Sequence, residues 1–211
     1  MSRPQEAEHA RRTYQDEARR IASRSIAGLE RTSVTPDALT MSGVGLCIAG
    51  AVLVYFEYVT HWFFFFGGLL FVIGSVLDIL DGALARRSGK GSPFGAFLDS
   101  TVDRVGEGFM LGAVGLVLMR DGYEWGVALA FAAMGGSFLV SYTRARAEAL
   151  GLKGDVGIGS RAERVIVLSV GLGLAPFHEL VLPITIALLA ATAWITVVQR
   201  VLSVRQQLRA S

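Results

Sequence analysis

The sequence contains little charge and almost no cysteine, and both shortages narrow the kinds of protein it can encode. Only 18% of its 211 residues are Asp, Glu, Lys or Arg, whereas a soluble globular domain carries about 25%. Its one cysteine, Cys47, cannot form a disulfide within the chain or supply a cysteine-based zinc site. The formal net charge of only +2 gives no support to nucleic-acid binding.

Long apolar runs fill most of the chain instead. Hydrophobic residues make up 52% of the sequence, and the mean hydropathy is +0.49. A helix needs about 20 mostly apolar residues to cross the hydrocarbon core of a bilayer. The runs therefore predict an all-α integral membrane protein with six transmembrane helices, at about residues 39–58, 62–84, 94–119, 124–149, 162–175 and 179–201.

The residues before the first span are charged and have a different pattern. Apolar residues such as Tyr14, Ile21 and Leu29 recur there at helical spacing while arginines occupy the other faces, which predicts an interfacial amphipathic helix. Residues 1–34 are predicted to form an N-terminal arm with this helix, and residues 35–211 a single membrane domain. A disordered arm is the alternative for residues 1 to about 10.

The lysines and arginines between the spans predict the orientation, because short loops rich in them stay in the cytoplasm. Such residues flank the spans on one side, for example Arg87, Lys90, Lys153 and Arg205, whereas the other side has only Arg120. We therefore expect a multi-pass protein of the plasma membrane with both termini in the cytoplasm.

Four aspartates lie inside two neighbouring spans, where each charge is costly. Asp78 and Asp81 are three residues apart near the end of the second span, and Asp99 and Asp103 are four apart near the start of the third. These spacings place each pair on one helix face, at the same depth on antiparallel helices. Four converging carboxylates need a compensating positive charge.

Divalent cations are the simplest source of that charge. Oxygen-only ligands favour Mg²⁺ or Mn²⁺, and two ions would balance four carboxylates and suit phosphoryl chemistry. One alternative is a structural cluster in which the aspartates pair with Arg86, Arg87 and Arg104, although such pairing explains only one or two of the acids. Another is a divalent-cation transporter that uses the aspartates as its transport site.

The order of these residues resembles the signature of the CDP-alcohol phosphotransferase family: Asp78-x-x-Asp81-Gly82-x-x-Ala85-Arg86, then eight residues, then Gly95-x-x-x-Asp99-x-x-x-Asp103. The resemblance implies six spans and a homodimer. It implies attack by an acceptor alcohol on the β-phosphorus of a CDP-linked lipid, with release of CMP. It also implies that the four aspartates hold the metal ions and that Asp103 is the general base for the acceptor hydroxyl.

The same resemblance implies a set of nucleotide contacts. Residues at the start of the first span would approach the cytidine, and three later residues would contact the nucleotide or diphosphate: Asp37, Ala38, Leu39 and Thr40, then Gly82, Arg86 and Ser92. From the residues alone, the first group is explained equally well by helix capping. The glycine is explained equally well by close helix packing.

Basic residues at the end of the fourth span and beyond it indicate how the acceptor substrate would be bound. Ser141-Tyr-x-Arg144-Ala-Arg-Ala-Glu, with Arg164 and Arg200 further on, resembles the phosphatidylinositol phosphate synthase branch of that family, where lysine often replaces Arg144. This implies CDP-diacylglycerol as donor and a myo-inositol phosphate as acceptor, whose phosphate Ser141 and the three arginines would hold. The alternatives are glycerol 3-phosphate or another phosphorylated alcohol as acceptor, or arginines that only anchor loops at the membrane surface.

Two smaller expectations concern helix contacts. Glu107 continues the stripe of Asp99 and Asp103 by one turn and is predicted to pair with Arg104. The glycines and alanines of residues 43–51 are predicted to allow close helix packing, with a dimer contact as the alternative.

Overall fold

The computed structural model describes residues 35–88 and 92–210, and it contains only helices and their connections over these residues. Six α-helices follow one another, with a short 3₁₀ helix, Ala175–Phe177, before the last: α1 Pro36–Tyr55, α2 Trp62–Ser88, α3 Pro93–Arg120, α4 Gly126–Ala149, α5 Arg161–Leu174 and α6 Val181–Ala210. The predicted all-α class is confirmed, and a helix lies at each predicted span. The predicted arm and interfacial helix, residues 1–34, lie outside the described residues.

Side-chain caps fix where three of the helices begin. Thr35 and Ser92 each accept a hydrogen bond from the backbone N–H three residues on, at 3.2 and 2.9 Å, and a proline follows each of them. Ser160 and Glu163 cap α5 reciprocally. The beginnings of α1, α3 and α5 lie at one end of the bundle, which we call the site end.

Four of the helices in the described part of the chain, α1, α2, α4 and α6, are long and apolar enough to cross a membrane. α3 has 28 residues, a length of about 42 Å, but its first half carries several charges. α5 has only 14 residues, which gives about 21 Å against a hydrocarbon core of about 30 Å. The structure thus supports a helical membrane protein, while six crossings stay a prediction.

Glycines bring α1 and α2 into direct backbone contact. A Cβ added at Gly43 would lie 2.8 Å from the carbonyl oxygen of Gly74, and one added at Gly50 would lie 2.6 Å from that of Gly67. Only glycine permits this approach. The predicted packing role of the first-span glycines is confirmed within one chain, and it places the start of α1 beside the end of α2.

The hydrophobic core lies away from the site end, around the second half of α3. Met110, Val114 and Val117 have no exposed surface, and neither do Leu172 of α5 and Ile186 of α6. α3 packs on α1 and α4, while α6 packs on α4 and α5. This apolar packing holds the polar first half of α3 in place at the site end.

Candidate active site

Three of the aspartates predicted to bind metal converge at the site end. Asp78 of α2 and Asp99 and Asp103 of α3 each offer a carboxylate oxygen within 4.8 Å of the others. The spacing of four residues stacks the two α3 side chains one turn apart, facing the end of α2. We call these residues the aspartate trio.

The aspartate trio is chemically suited to a hard divalent cation. All three ligands are carboxylates, which Mg²⁺ and Mn²⁺ prefer. The Oδ1 atom of Asp99 is buried and has no hydrogen-bond partner among the described residues. Buried oxygens of this kind are uncommon because they lose hydration without compensation. A cation bound between the three side chains would provide that compensation.

Arginine side chains already contact part of the trio. Arg161, the first residue of α5, donates from Nη1 to Oδ2 of Asp78 at 2.5 Å, and its Nη2 contacts Oδ1 of Asp103. Nη1 of Arg104 lies 3.3 Å from the other oxygen, Oδ2, of Asp103. Asp103 is thus bound by a guanidinium on each oxygen, whereas Asp99 is contacted by neither.

The role of Arg161 was not predicted from the sequence. The sequence does contain a signal for it, the Ser160-x-x-Glu163 capping box that starts α5 at Arg161. Arg161 is therefore the first residue of the helix. Arg164 follows three residues later, so both side chains extend from the same face of the first turn.

The fourth predicted metal ligand, Asp81, lies apart from the trio. It is only 2% exposed, and its Oδ2 accepts a hydrogen bond from the hydroxyl of Thr40 on α1. Asp81 thus contacts α1, whereas Asp78 contacts Arg161 of α5, so the face that the spacing predicts for both aspartates does not give them the same partners. Its role as a metal ligand stays a prediction.

A cavity of about 240 Å³, the small cavity, opens where α1 begins, α2 ends and α3 begins. Its walls include two of the aspartates and four of the residues predicted to contact the nucleotide: Asp81 and Asp99, then Asp37, Thr40, Gly82 and Ser92. The N-termini of α1 and α3 both lie at its wall. Helix N-termini attract phosphate groups because of their free N–H groups and dipole.

Two predicted nucleotide contacts, Ala38 and Leu39, do not line this cavity. Ala38 is exposed outside it, and Leu39 is buried in an apolar contact with Leu84. The side chain of Arg86 lies outside the described part of the chain. Ser92 does line the cavity, but its hydroxyl also caps α3.

A second cavity of about 780 Å³ opens among α3, α4, α5 and α6. We call it the arginine-lined cavity. Its walls contain the four residues predicted to hold the acceptor phosphate, together with two further arginines: Ser141, Arg144, Arg164 and Arg200, then Arg104 and Arg161. Asp103 also lines it, and Asp99 lines both cavities. Asp99 therefore lies between the two spaces, whereas Asp103 lines only the second and Asp78 lines neither.

Arg164 is held by Glu107, a partner that was predicted for another residue. The carboxylate of Glu107 accepts from Nε and Nη2 of Arg164 at 2.9 and 3.3 Å, and both side chains are buried. The predicted pair of Glu107 with Arg104 is therefore wrong. Arg104 donates instead to Ser141 on α4 at 2.6 Å.

The other two predicted arginines are held differently. Arg200 is buried and donates to the backbone carbonyls of Val156, at 2.9 Å, and Val140. It thereby ties the loop between α4 and α5 to α6. Arg144 has 57% of its side chain exposed and pairs with Glu148 at 2.8 Å, so it is the most accessible of the three.

Comparison with known proteins agrees with this geometry. Residues 33–204 match the profile of the CDP-alcohol phosphatidyltransferase family. The chain belongs to this family. The resemblance carried by the aspartate signature is confirmed, and the protein is a multi-pass membrane enzyme rather than an ion transporter.

Two relatives with named activities match most of this chain. The phosphatidylinositol phosphate synthase of Streptomyces avermitilis is 34% identical over 197 residues, which cover 89% of this chain and 79% of the relative. The archaetidylinositol phosphate synthase of Methanothermobacter thermautotrophicus is 35% identical over 183 residues, covering 85% of this chain and 88% of the relative.

Two crystal structures of phosphatidylinositol phosphate synthase from Mycobacterium tuberculosis resemble the fold. The one with CDP-DAG bound has a TM-score of 0.77 at 35% identity and covers 88% of this chain and 94% of that chain. The one in complex with manganese and citrate has a TM-score of 0.76 at 32% identity and covers 87% and 88%.

Proposed function

We propose that this chain transfers the phosphatidyl group of CDP-diacylglycerol to a hydroxyl group of a myo-inositol phosphate, giving phosphatidylinositol phosphate and CMP. The observation that carries the proposal is the position of Asp99, which lines both the small cavity and the arginine-lined cavity and has carboxylate oxygens of Asp78 and Asp103 within 4.8 Å. A donor in the first and an acceptor in the second would meet at these carboxylates. Bacterial and archaeal relatives that are both named for inositol phosphate products support this acceptor.

The small cavity is proposed to receive the cytidine diphosphate part of the donor. Asp37, Thr40, Gly82 and Ser92 line it, and the N-termini of α1 and α3 would attract the diphosphate. Ala38, Leu39 and Arg86 complete the proposed set near the start of α1 and the end of α2. The CDP-DAG bound in the relative from Mycobacterium tuberculosis supports this assignment.

Asp103 is proposed as the general base. It lines the arginine-lined cavity, where its carboxylate would take the proton of the acceptor hydroxyl. As that proton leaves, the hydroxyl oxygen bonds to the β-phosphorus and the bond from this phosphorus to the oxygen of CMP breaks. Arg144, Arg164 and Arg200, with Ser141, would hold the phosphate of the acceptor beside it.

Asp78, Asp81, Asp99 and Asp103 are proposed to hold two Mg²⁺ or Mn²⁺ ions. When bound, these ions would stabilise the negative charge of the diphosphate. Manganese in the relative from Mycobacterium tuberculosis, together with the aspartate trio, supports a divalent metal.

The proposal also covers the placement of the enzyme. It includes six crossings, a plasma-membrane location, both termini in the cytoplasm, an N-terminal arm over residues 1–34 and a homodimer. The unequal distribution of basic residues between the loops supports the orientation. The lipid chains would then lie in the bilayer while the acceptor enters the arginine-lined cavity from the cytoplasm.

The test is to offer purified full-length protein CDP-diacylglycerol, Mg²⁺ and one phosphorylated alcohol at a time, and to measure CMP release. We expect myo-inositol phosphate to exceed glycerol 3-phosphate by about 100-fold in kcat/KM, since a polar site discriminates strongly between hydroxyl arrangements. Chelation of the metal should stop the release. A preference for glycerol 3-phosphate would mean that this alcohol, and not an inositol phosphate, is the acceptor. The absence of CMP release with every alcohol would reject the proposed function.

A further inference from the structure

Arg161 contacts the same carboxylate oxygens that are proposed to hold the divalent ions. Its two terminal nitrogens contact Asp78 and Asp103, while Oδ1 of Asp99 has no partner in the described part of the chain. A guanidinium and a divalent cation repel each other at such short range. They therefore cannot both use these oxygens without raising the energy of the site.

We infer that Arg161 competes with the divalent metal for Asp78 and Asp103, and that metal binding releases its side chain toward the arginine-lined cavity, where it contacts the acceptor phosphate. The inference rests on the proposed function. The side chain of Arg161 is 29% exposed and already lines that cavity beside Arg164 and Arg200. Released from the aspartates, it reaches a cavity already lined by other phosphate-binding arginines.

The state of Asp103 gives this exchange a chemical purpose. Its two oxygens contact Arg161 and Arg104, so two of its lone pairs are engaged by N–H groups. Because a carboxylate has about four lone-pair sites, release of Arg161 lets Asp103 bind the metal through one site and accept the proton of the acceptor hydroxyl at another.

The surroundings of Arg161 permit this exchange by side-chain rotation alone. The capping box of Ser160 and Glu163 fixes the backbone at the start of α5, with Glu163 accepting from the Ser160 N–H at 2.7 Å. One turn on, Arg164 is held by the buried Glu107. The first turn of α5 therefore presents one fixed arginine and one that exchanges partners.

The test measures Mn²⁺ affinity of the full-length protein without substrate, by the paramagnetic resonance signal of free Mn²⁺. We expect Arg161→Gln to bind Mn²⁺ about tenfold more tightly, because a competing positive charge is removed. Arg161→Lys should lie in between, since one ammonium group does not contact both aspartates. Arg144→Gln is the matched control: it removes the same charge from the same cavity, but Arg144 pairs with Glu148, so affinity should be unchanged.

A second measurement separates competition from general damage to the site. At saturating Mn²⁺, the KM for the phosphorylated acceptor should rise about tenfold in Arg161→Gln, while the Mn²⁺ concentration for half-maximal rate falls. A merely structural residue would weaken both.

Unchanged or weaker Mn²⁺ binding in Arg161→Gln, at a wild-type unfolding temperature, would overturn the inference. If that variant does not fold, Arg161→Lys decides by the same criterion. Absence of Mn²⁺ binding by the wild type, or unaltered binding by Asp103→Asn, would instead reject the proposed metal site itself.

Discussion

The two ends of the helix bundle bury charge in different ways. At the end away from the site, Glu57 has a side chain only 5% exposed and pairs with Arg120. The guanidinium of Arg120 also lies 5.5 and 4.8 Å from the ring centres of Tyr55 and Tyr58. Nδ1 of His61 lies 3.6 Å from the other carboxylate oxygen of Glu57. Both oxygens of this acid therefore have partners, and aromatic rings surround the guanidinium.

At the site end, the positive side chains do not balance the buried carboxylates. Two carboxylates of the aspartate trio, those of Asp78 and Asp103, contact Arg161 or Arg104, and a buried oxygen of Asp99 has no partner within the described residues. A buried pair that satisfies itself serves the fold. A buried cluster left short of positive charge is a site for a ligand. The contrast predicts that changes at the two ends affect different properties of the enzyme.

Asp103→Asn should have the largest effect, a loss of CMP release of about 10³-fold or more. The amide cannot accept the hydroxyl proton, and it also removes a charged metal ligand. Binding of CDP-diacylglycerol should change only a few-fold, because Asp103 does not line the small cavity. Both quantities can be measured on the same preparation. A loss of donor affinity as large as the loss of rate would argue against a role as base.

The sequence was sufficient to predict that Asp78, Asp99 and Asp103 converge at the site end, but it missed Arg161 and did not predict which side chains pair. Apolar runs locate helices, and spacings of three and four residues define faces within one helix. Arg161 and Asp78 are 83 residues apart, and Arg164 and Glu107 are 57 apart. Such pairs depend on how each helix is rotated against its neighbours, which spacing within a helix does not fix. Hence Glu107 was assigned to the wrong arginine.

Glu107→Gln should have an intermediate effect. Arg164 keeps its charge but loses the carboxylate that fixes its position, so the KM for the acceptor should rise about tenfold with a smaller change in kcat. Glu148→Gln is the matched control, since Glu148 pairs with the exposed Arg144 and such pairs contribute little. Equal effects of the two substitutions on KM would mean that burial of the pair has no bearing on acceptor binding.

Glu57→Gln should have the smallest effect on turnover. It leaves Arg120 without its charged partner, which should lower the unfolding temperature in detergent by about 5 °C. The kcat and KM per folded enzyme should stay unchanged, since the pair lies at the opposite end of the bundle from the aspartate trio. The double variant with Arg120→Gln should be destabilised by less than the sum of the single changes, because one interaction is being removed twice. A fall in kcat per folded enzyme that parallels the loss of stability would show that the two ends of the bundle are coupled. The buried pair of Glu57 and Arg120 would then contribute to catalysis as well as to stability.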